Sequence, residues 1–247
     1  MDVYWIEQVL TDLPVGDDWL SANEVTRQQN MRFPKRRNDW RLGRWTAKLG
    51  VVSLFDLPRE AHCLREIEIR SSPTGAPEVF INNQRAGVSI SLSHRNGRAM
   101  CALAESSVTL GCDLEIIEAH SDAFIADYFT PQEQSVVCAD DDPDLYSSLV
   151  WSAKESALKA LGAGLRVDTR CVDVEFEHPP FSRGAWGWVR IRHNSGRKFE
   201  GWWQRSGDLI RTFASDSVLS APFCLHSPHR REISYETDGR SAASAVS

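Results

Sequence analysis

The chain has 247 residues, with 28 Lys+Arg against 34 Asp+Glu and a formal net charge of −6. Hydrophobic residues make up 42% and charged residues 25%, a mix that excludes a disordered or fibrous protein and fits one large domain or two small ones. The negative balance argues against a general nucleic-acid binder, but it hides an asymmetry. Eight basic residues and one acid, Asp39, lie between Arg27 and Lys48, whereas Gly111 to Leu145 holds ten acids and no Lys or Arg.

Val3 to Leu10 reads as an opening strand. The acids Asp2 and Glu7 stand where a signal peptide needs a basic region and an apolar run, and no stretch nears the roughly 18 apolar residues that span a bilayer. The six cysteines are widely spaced without a C-x-x-C pair, so they read as reduced, mostly buried small hydrophobes. A cytoplasmic protein without a membrane partner is expected.

Pro34 suits the first position of a helix running to about Leu54. Leu42, Trp45, Leu49 and Val52 repeat at helical spacing and give it a core face. Arg37, Arg41, Arg44 and Lys48 repeat with the same period beside them, and like charges four apart repel unless something anionic compensates them. Ser89 to Ser93 alternates polar and apolar, and Asn96-Gly97 before Ala99 to Ala104 is a hairpin signal with His94 at its edge.

Val108 to Ile117 is a second strand pattern, in which Cys112, Leu114 and Ile116 face the core. Asp113 and Glu115 share the other face: either one wet side of an amphipathic strand, or two carboxylates aimed at a hard cation. Trp151 to Gly162 is a helix that Gly162 and Gly164 stop. In it Ser152 with Glu155 has the spacing of a capping box, and Glu155 with Lys159 that of an i, i+4 ion pair. Val172 to Ala214 reads as strands and turns, with Trp186, Trp188, Trp202 and Trp203 as packing residues, and a flexible polar tail follows from His226. No Walker loop, G-x-G-x-x-G, G-x-S-x-G or H-E-x-x-H is present. The residues together point to divalent-metal chemistry on a phosphate-bearing polyanion.

Gly111-Cys112-Asp113-Leu114-Glu115, followed by Trp151-Ser152-Ala153-Lys154-Glu155 with Lys159, resembles the paired signature of 4′-phosphopantetheinyl transferases. Ser91-Leu92-Ser93-His94, Gly75-Ala76-Pro77 and Tyr128 to Glu133 resemble its other motifs, so the likeness covers about residues 30 to 165. The resemblance implies transfer of the phosphopantetheine arm of coenzyme A to a serine of an apo acyl or peptidyl carrier protein, releasing adenosine 3′,5′-bisphosphate. It implies that Asp113, Glu115 and Glu155 hold Mg²⁺, and that Glu155 or a metal-bound water is the base. Lys159 and Lys154 would neutralise the pyrophosphate. Arg44, Lys35, Arg36, Ser93 and His94 would bind the 3′-phosphate side, with Thr74, Gly75 and Pro77 along the adenine.

The length is similar to that of the larger, monomeric Sfp-type members. The expected fold is α+β: two similar α/β subdomains related by a pseudo-twofold, each a small mainly antiparallel sheet packed with a long helix. The halves would be residues 1–106, on the coenzyme A side, and 107–225, with the Mg²⁺ site, before the tail at 226–247. Trp40…Lys48 and Trp151…Lys159, each eight apart, are the trace of a repeat. Two departures from the family pattern are Arg95, in place of a small residue, and Ala76, in place of Lys. Arg95 either adds a phosphate contact or faces solvent. The competing readings are another Mg²⁺-dependent phosphate-ester enzyme and a non-catalytic module that binds acidic partners.

Overall fold

Alternating apolar residues build two sheets with the same strand order. The computed structural model describes residues 1–163, 167–177 and 185–225. The first half runs β1 (Tyr4–Val9), α1 (Ala22–Gln29), α2 (Pro34–Phe55), α3 (Ala61–Glu66), β2 (Ile67–Ser71), β3 (Pro77–Ile81), β4 (Gln84–Arg95) and β5 (Arg98–Glu105). The second runs β6 (Leu110–Ile116), α4 (Asp122–Tyr128), α5 (Pro131–Ala139), α6 (Pro143–Ala160), β7 (Val172–Phe176), β8 (Trp186–His193), β9 (Lys198–Ser206) and β10 (Leu209–Ser215). The sheet orders are β1-β5-β4-β3-β2 and β6-β10-β9-β8-β7, and β11 (Phe223–Cys224) returns to pair in parallel with β1. Neighbours within each five-strand set pair antiparallel, and each set packs against one long helix, α2 or α6. This is the expected α+β architecture of two like halves.

The likeness extends to one buried cluster. Glu24 and Glu133 each sit three residues beyond an N-cap, Ser21 or Thr130, and close a capping box with it. A fully buried lysine from the long helix reaches each of them: Lys48 to Glu24 at 2.6 Å and Lys154 to Glu133 at 2.8 Å. The remaining ammonium protons go to carbonyls, of Trp19 and Leu64 for Lys48 and of Thr169 and Val172 for Lys154. The second oxygen of each glutamate accepts from the backbone of the following sheet, Ile69 N–H or Val174 N–H. Trp45-Thr46-Ala47-Lys48 therefore corresponds to Trp151-Ser152-Ala153-Lys154. This corrects the expected match of Trp40…Lys48 with Trp151…Lys159, because it is Lys154 that occupies the place of Lys48.

The basic stripe of α2 is compensated largely by the protein itself. Arg41 pairs with Asp17 at 2.8 Å and with the Pro14 and Gly16 carbonyls, Arg37 donates to Met31 O, and Lys48 holds Glu24. Asn96 and Gly97, with φ of 47° and 71°, make the expected tight hairpin between β4 and β5. Trp188 and Trp202 pack edge to face across β8 and β9 at 4.7 Å.

Helix α6 starts eight residues before the expected position, at Pro143, where the Asp142 side chain accepts from Leu145 N–H. Ser152 and Glu155 thus lie in mid-helix, and no capping box forms between them. Gly162, with φ of 67°, ends the helix as expected; Gly164 and the tail from His226 lie outside the described residues. Only Cys101 and Cys112 are fully enclosed; Cys63 and Cys171 are half-buried, and Cys138 and Cys224 are exposed, so the expectation of mostly buried cysteines is corrected.

Candidate active site

The two sheets meet where β4 lies against β6, with Cys112 N–H donating to Ser91 Oγ at 2.9 Å. Gly111 lets α6 lie directly on β6, since a Cβ there would stand 1.8 Å from the carbonyl oxygen of Ser156. Residues 111, 113 and 115 share the face toward α6, so the side expected to be wet is roofed by that helix. Asp113 is consequently only 2% exposed.

Helical spacing puts Ser152, Glu155 and Lys159 on the face of α6 above Asp113. Asp113 Oδ1 accepts from Lys159 Nζ at 2.6 Å and Ser93 Oγ at 2.7 Å, and Oδ2 accepts from Ser152 Oγ at 2.9 Å. Lys159 also donates to Cys112 O and lies 3.5 Å from Glu155 Oε2. Glu115 accepts from Trp151 Nε1 at 3.2 Å on one oxygen and lies 3.1 Å from Arg95 Nε on the other. Arg95 also pairs with Glu118, so it makes contacts with carboxylates, neither of the two roles expected for it.

Crowding of carboxylates sets their proton affinities. Burial, then the charge of Asp113, pushes Glu115 up to about 7, with Glu155 adding and Arg95 opposing. Glu155 is raised by burial and by Asp113, while Lys159 pulls it down. Burial opposes the charge on Lys159, but Asp113 and Glu155 outweigh it and hold its proton above the ordinary lysine range.

A cavity of about 850 Å³ opens beside this cluster. Lys35, Arg36 and Arg44 line it from α2, and Ser93 and His94 from β4. Thr74, Gly75 and Pro77 form its far wall, where Gly75 (φ 92°) closes a turn by donating to Ser72 O. Lys159 reaches the cavity from α6, so Lys159 and Ser93 belong both to the cavity lining and to the carboxylate cluster. Arg44 is 8% exposed with its guanidinium 4.9 Å from the centre of the Trp40 ring, and burial, opposed by Glu24, lowers its pKa to about 10.

Lys154 does not belong to this group. It is fully buried on Glu133, the Thr169 and Val172 carbonyls take its other protons, and it does not line the cavity. Its expected contact with a substrate phosphate is corrected to a brace inside the second half. The residues not singled out beforehand as site members are Ser152, Trp151 and Arg95. The first two stood in the helical motif at the right spacing from Glu155, whereas nothing in the sequence showed which way Arg95 points.

The donor set fits a divalent cation in type and charge: Asp113, Glu115 and Glu155 are hard oxygen donors whose mutual repulsion a cation would relieve. Among the described residues, no group of three or more His, Cys, Asp or Glu is gathered at metal-ligand spacing. Mg²⁺ needs only one or two carboxylates when substrate phosphates complete its shell. Among the described residues, no helix is long and apolar enough to cross a membrane.

Residues 109–208, which carry Asp113, Glu115, Glu155 and Lys159, match the family model of the 4′-phosphopantetheinyl transferase superfamily. Among solved structures, the chain is similar to holo-[acyl-carrier-protein] synthase from Neisseria meningitidis at 17% identity, over 44% of this chain and 97% of that one, with a TM-score of 0.35. No curated protein sequence matches it.

Proposed function

We propose that this chain, whose residues 109–208 match the 4′-phosphopantetheinyl transferase superfamily, moves the phosphopantetheine arm of coenzyme A onto a serine of an apo acyl or peptidyl carrier protein. The observation that carries this reading is the joining of a cationic cavity to a buried carboxylate cluster through Lys159. Lys35, Arg36, Arg44 and His94 bind the 3′-phosphate of coenzyme A, and the turn at Thr74, Gly75 and Pro77 flanks the adenine. The pyrophosphate then lies toward Lys159 and the carboxylates. Ala76 supplies no cation on the adenine side, so the basic residues of α2 take that share of the binding.

In the reaction, the carrier serine Oγ forms a bond to the phosphorus on the pantetheine side of the pyrophosphate. The bond from that phosphorus to the bridging oxygen breaks, and adenosine 3′,5′-bisphosphate leaves with the electron pair. Glu155 takes the serine proton; burial and the Asp113 charge raise its proton affinity, which favours that role. Lys159 stays charged and stabilises the negative charge growing on the leaving oxygen. Asp113 and Ser93 fix the Lys159 ammonium, and Ser152 fixes Asp113. Asp113, Glu115 and Glu155 would hold Mg²⁺, which when bound neutralises pyrophosphate charge.

We assign residues 1–106 to the coenzyme A side, 107–225 to the carboxylate side and 226–247 to a tail, in a cytoplasmic monomer whose cavity is lined by both halves of one chain. The test is release of adenosine 3′,5′-bisphosphate from coenzyme A, followed by chromatography. Release only when an apo carrier is present is expected. Release at the same rate without carrier would contradict the transfer and favour a phosphate-ester hydrolase.

A further inference from the structure

Ser91, Ser93 and Arg95 alternate along β4 and therefore share the face that looks onto β6. Ser91 accepts there from the Cys112 N–H, Ser93 donates to the Asp113 carboxylate and accepts from Lys159, and Arg95 meets the Glu115 carboxylate. Ser91, Ser93 and His94 all line the cavity, whereas Arg95 does not. The Arg95 guanidinium spans two acids, with Nε 3.1 Å from Glu115 Oε2 and Nη2 on Glu118. Since the Trp151 indole N–H takes Oε1, both oxygens of Glu115 are engaged, one by a neutral donor and one by a permanent cation. The Glu115 side chain is 14% exposed, whereas Arg95 and Glu118 are 38% and 48% exposed. Arg95 and Glu118 thus stand beside solvent, and Glu115 is enclosed behind them.

We propose that Arg95 is an internal counter-ion that positions Glu115 and competes with a divalent cation for its Oε2, with Glu118 holding the guanidinium when the cation is bound. The inference rests on Glu115 being one of the residues that hold Mg²⁺. Cation entry then exchanges one charge partner of Glu115 for another, and the arginine sets how tightly the site takes its metal.

The test uses the full chain with coenzyme A and Mn²⁺, read against a protein-free coenzyme A blank, with free Mn²⁺ counted by electron paramagnetic resonance. An oxygen that the guanidinium leaves free in about one molecule in ten binds a cation about tenfold more weakly than one that is always free. Arg95→Ser should therefore lower the Mn²⁺ dissociation constant about tenfold, and Arg95→Lys should leave it within threefold of the parent. In a Glu115→Gln background, the gain from Arg95→Ser should shrink below threefold, because the oxygen competed for is gone. An Arg95→Ser protein that binds Mn²⁺ no more tightly than the parent overturns the proposal. So does an undiminished gain in the Glu115→Gln background, which would mean a general field effect. If neither parent nor Arg95→Ser binds Mn²⁺, the assignment of metal-holding residues itself fails, a result distinct from both.

Discussion

Glu115→Gln should separate stability from activity. In the native protein, burial and Asp113 lift this carboxyl from an ordinary 4.5 to about 7. Each pK step is worth about 1.4 kcal/mol, so the charged form costs the native state about 3 kcal/mol relative to the protonated form. Because the native value is the higher one, this contribution is fully present below pH 4.5 and is lost as pH rises to 7. Gln has the same shape and does not titrate. The variant should therefore unfold at higher urea than the parent at pH 8, by about 1–3 kcal/mol, part of the gain being lost with the Arg95 ion pair. At pH 4.5 the advantage should vanish. Urea titrations at both pH values, with equal slopes required, give the comparison, and transferase activity should fall by about 100-fold or more at pH 8. A variant less stable than its parent by the same margin at both pH values would mean that the native fold does not raise the Glu115 carboxyl.

Lys154→Met and Lys48→Met should each cost about 3–5 kcal/mol, since each leaves a buried glutamate without its cation, and Glu133→Gln added to Lys154→Met should recover part of that loss. Thermal and urea unfolding check both, and a Lys154→Met protein of parental stability would contradict the brace. Gly111→Ala should force α6 off β6, costing about 1–3 kcal/mol or more and most of the activity; parental stability and kcat would show that the helix does not rest there. Lys159→Gln should lower kcat by about 100-fold or more in protein shown by melting to be folded, and a loss under threefold would remove Lys159 from the chemistry.

The parts of the fold set by local rules were readable from the residues. Pro34 opens α2, Asn96-Gly97 turns the hairpin, Gly162 stops α6, and the period of two puts Asp113 and Glu115 on one face. What could not be read depended on contacts distant in sequence. The α2 stripe looked uncompensated because Asp17 and Glu24 stand outside it, ten or more residues upstream of Lys35. Lys159 stands at ion-pair spacing from Glu155, but nothing local shows where Lys154, beside Glu155 in sequence, finds its partner. Five positions along a helix amount to about 140° of rotation, enough to send one into the Glu133 brace and the other to Asp113. The repeat lies in Trp45 to Lys48 against Trp151 to Lys154, whereas the Trp-to-Lys separation of eight points to Trp40 and Lys159. Asp142 caps α6 well before Trp151, and a cap is recognised only once the helix start is known.

The central claim is tested most directly by the intact mass of several apo carrier domains after incubation with coenzyme A, Mg²⁺ and this protein, with Glu155→Gln assayed in parallel. At least one carrier should gain the mass of one phosphopantetheine group on its serine, and Glu155→Gln should produce this species at least about 100-fold more slowly. Carriers that all keep their apo mass, or Glu155→Gln as fast as the parent, would contradict that claim.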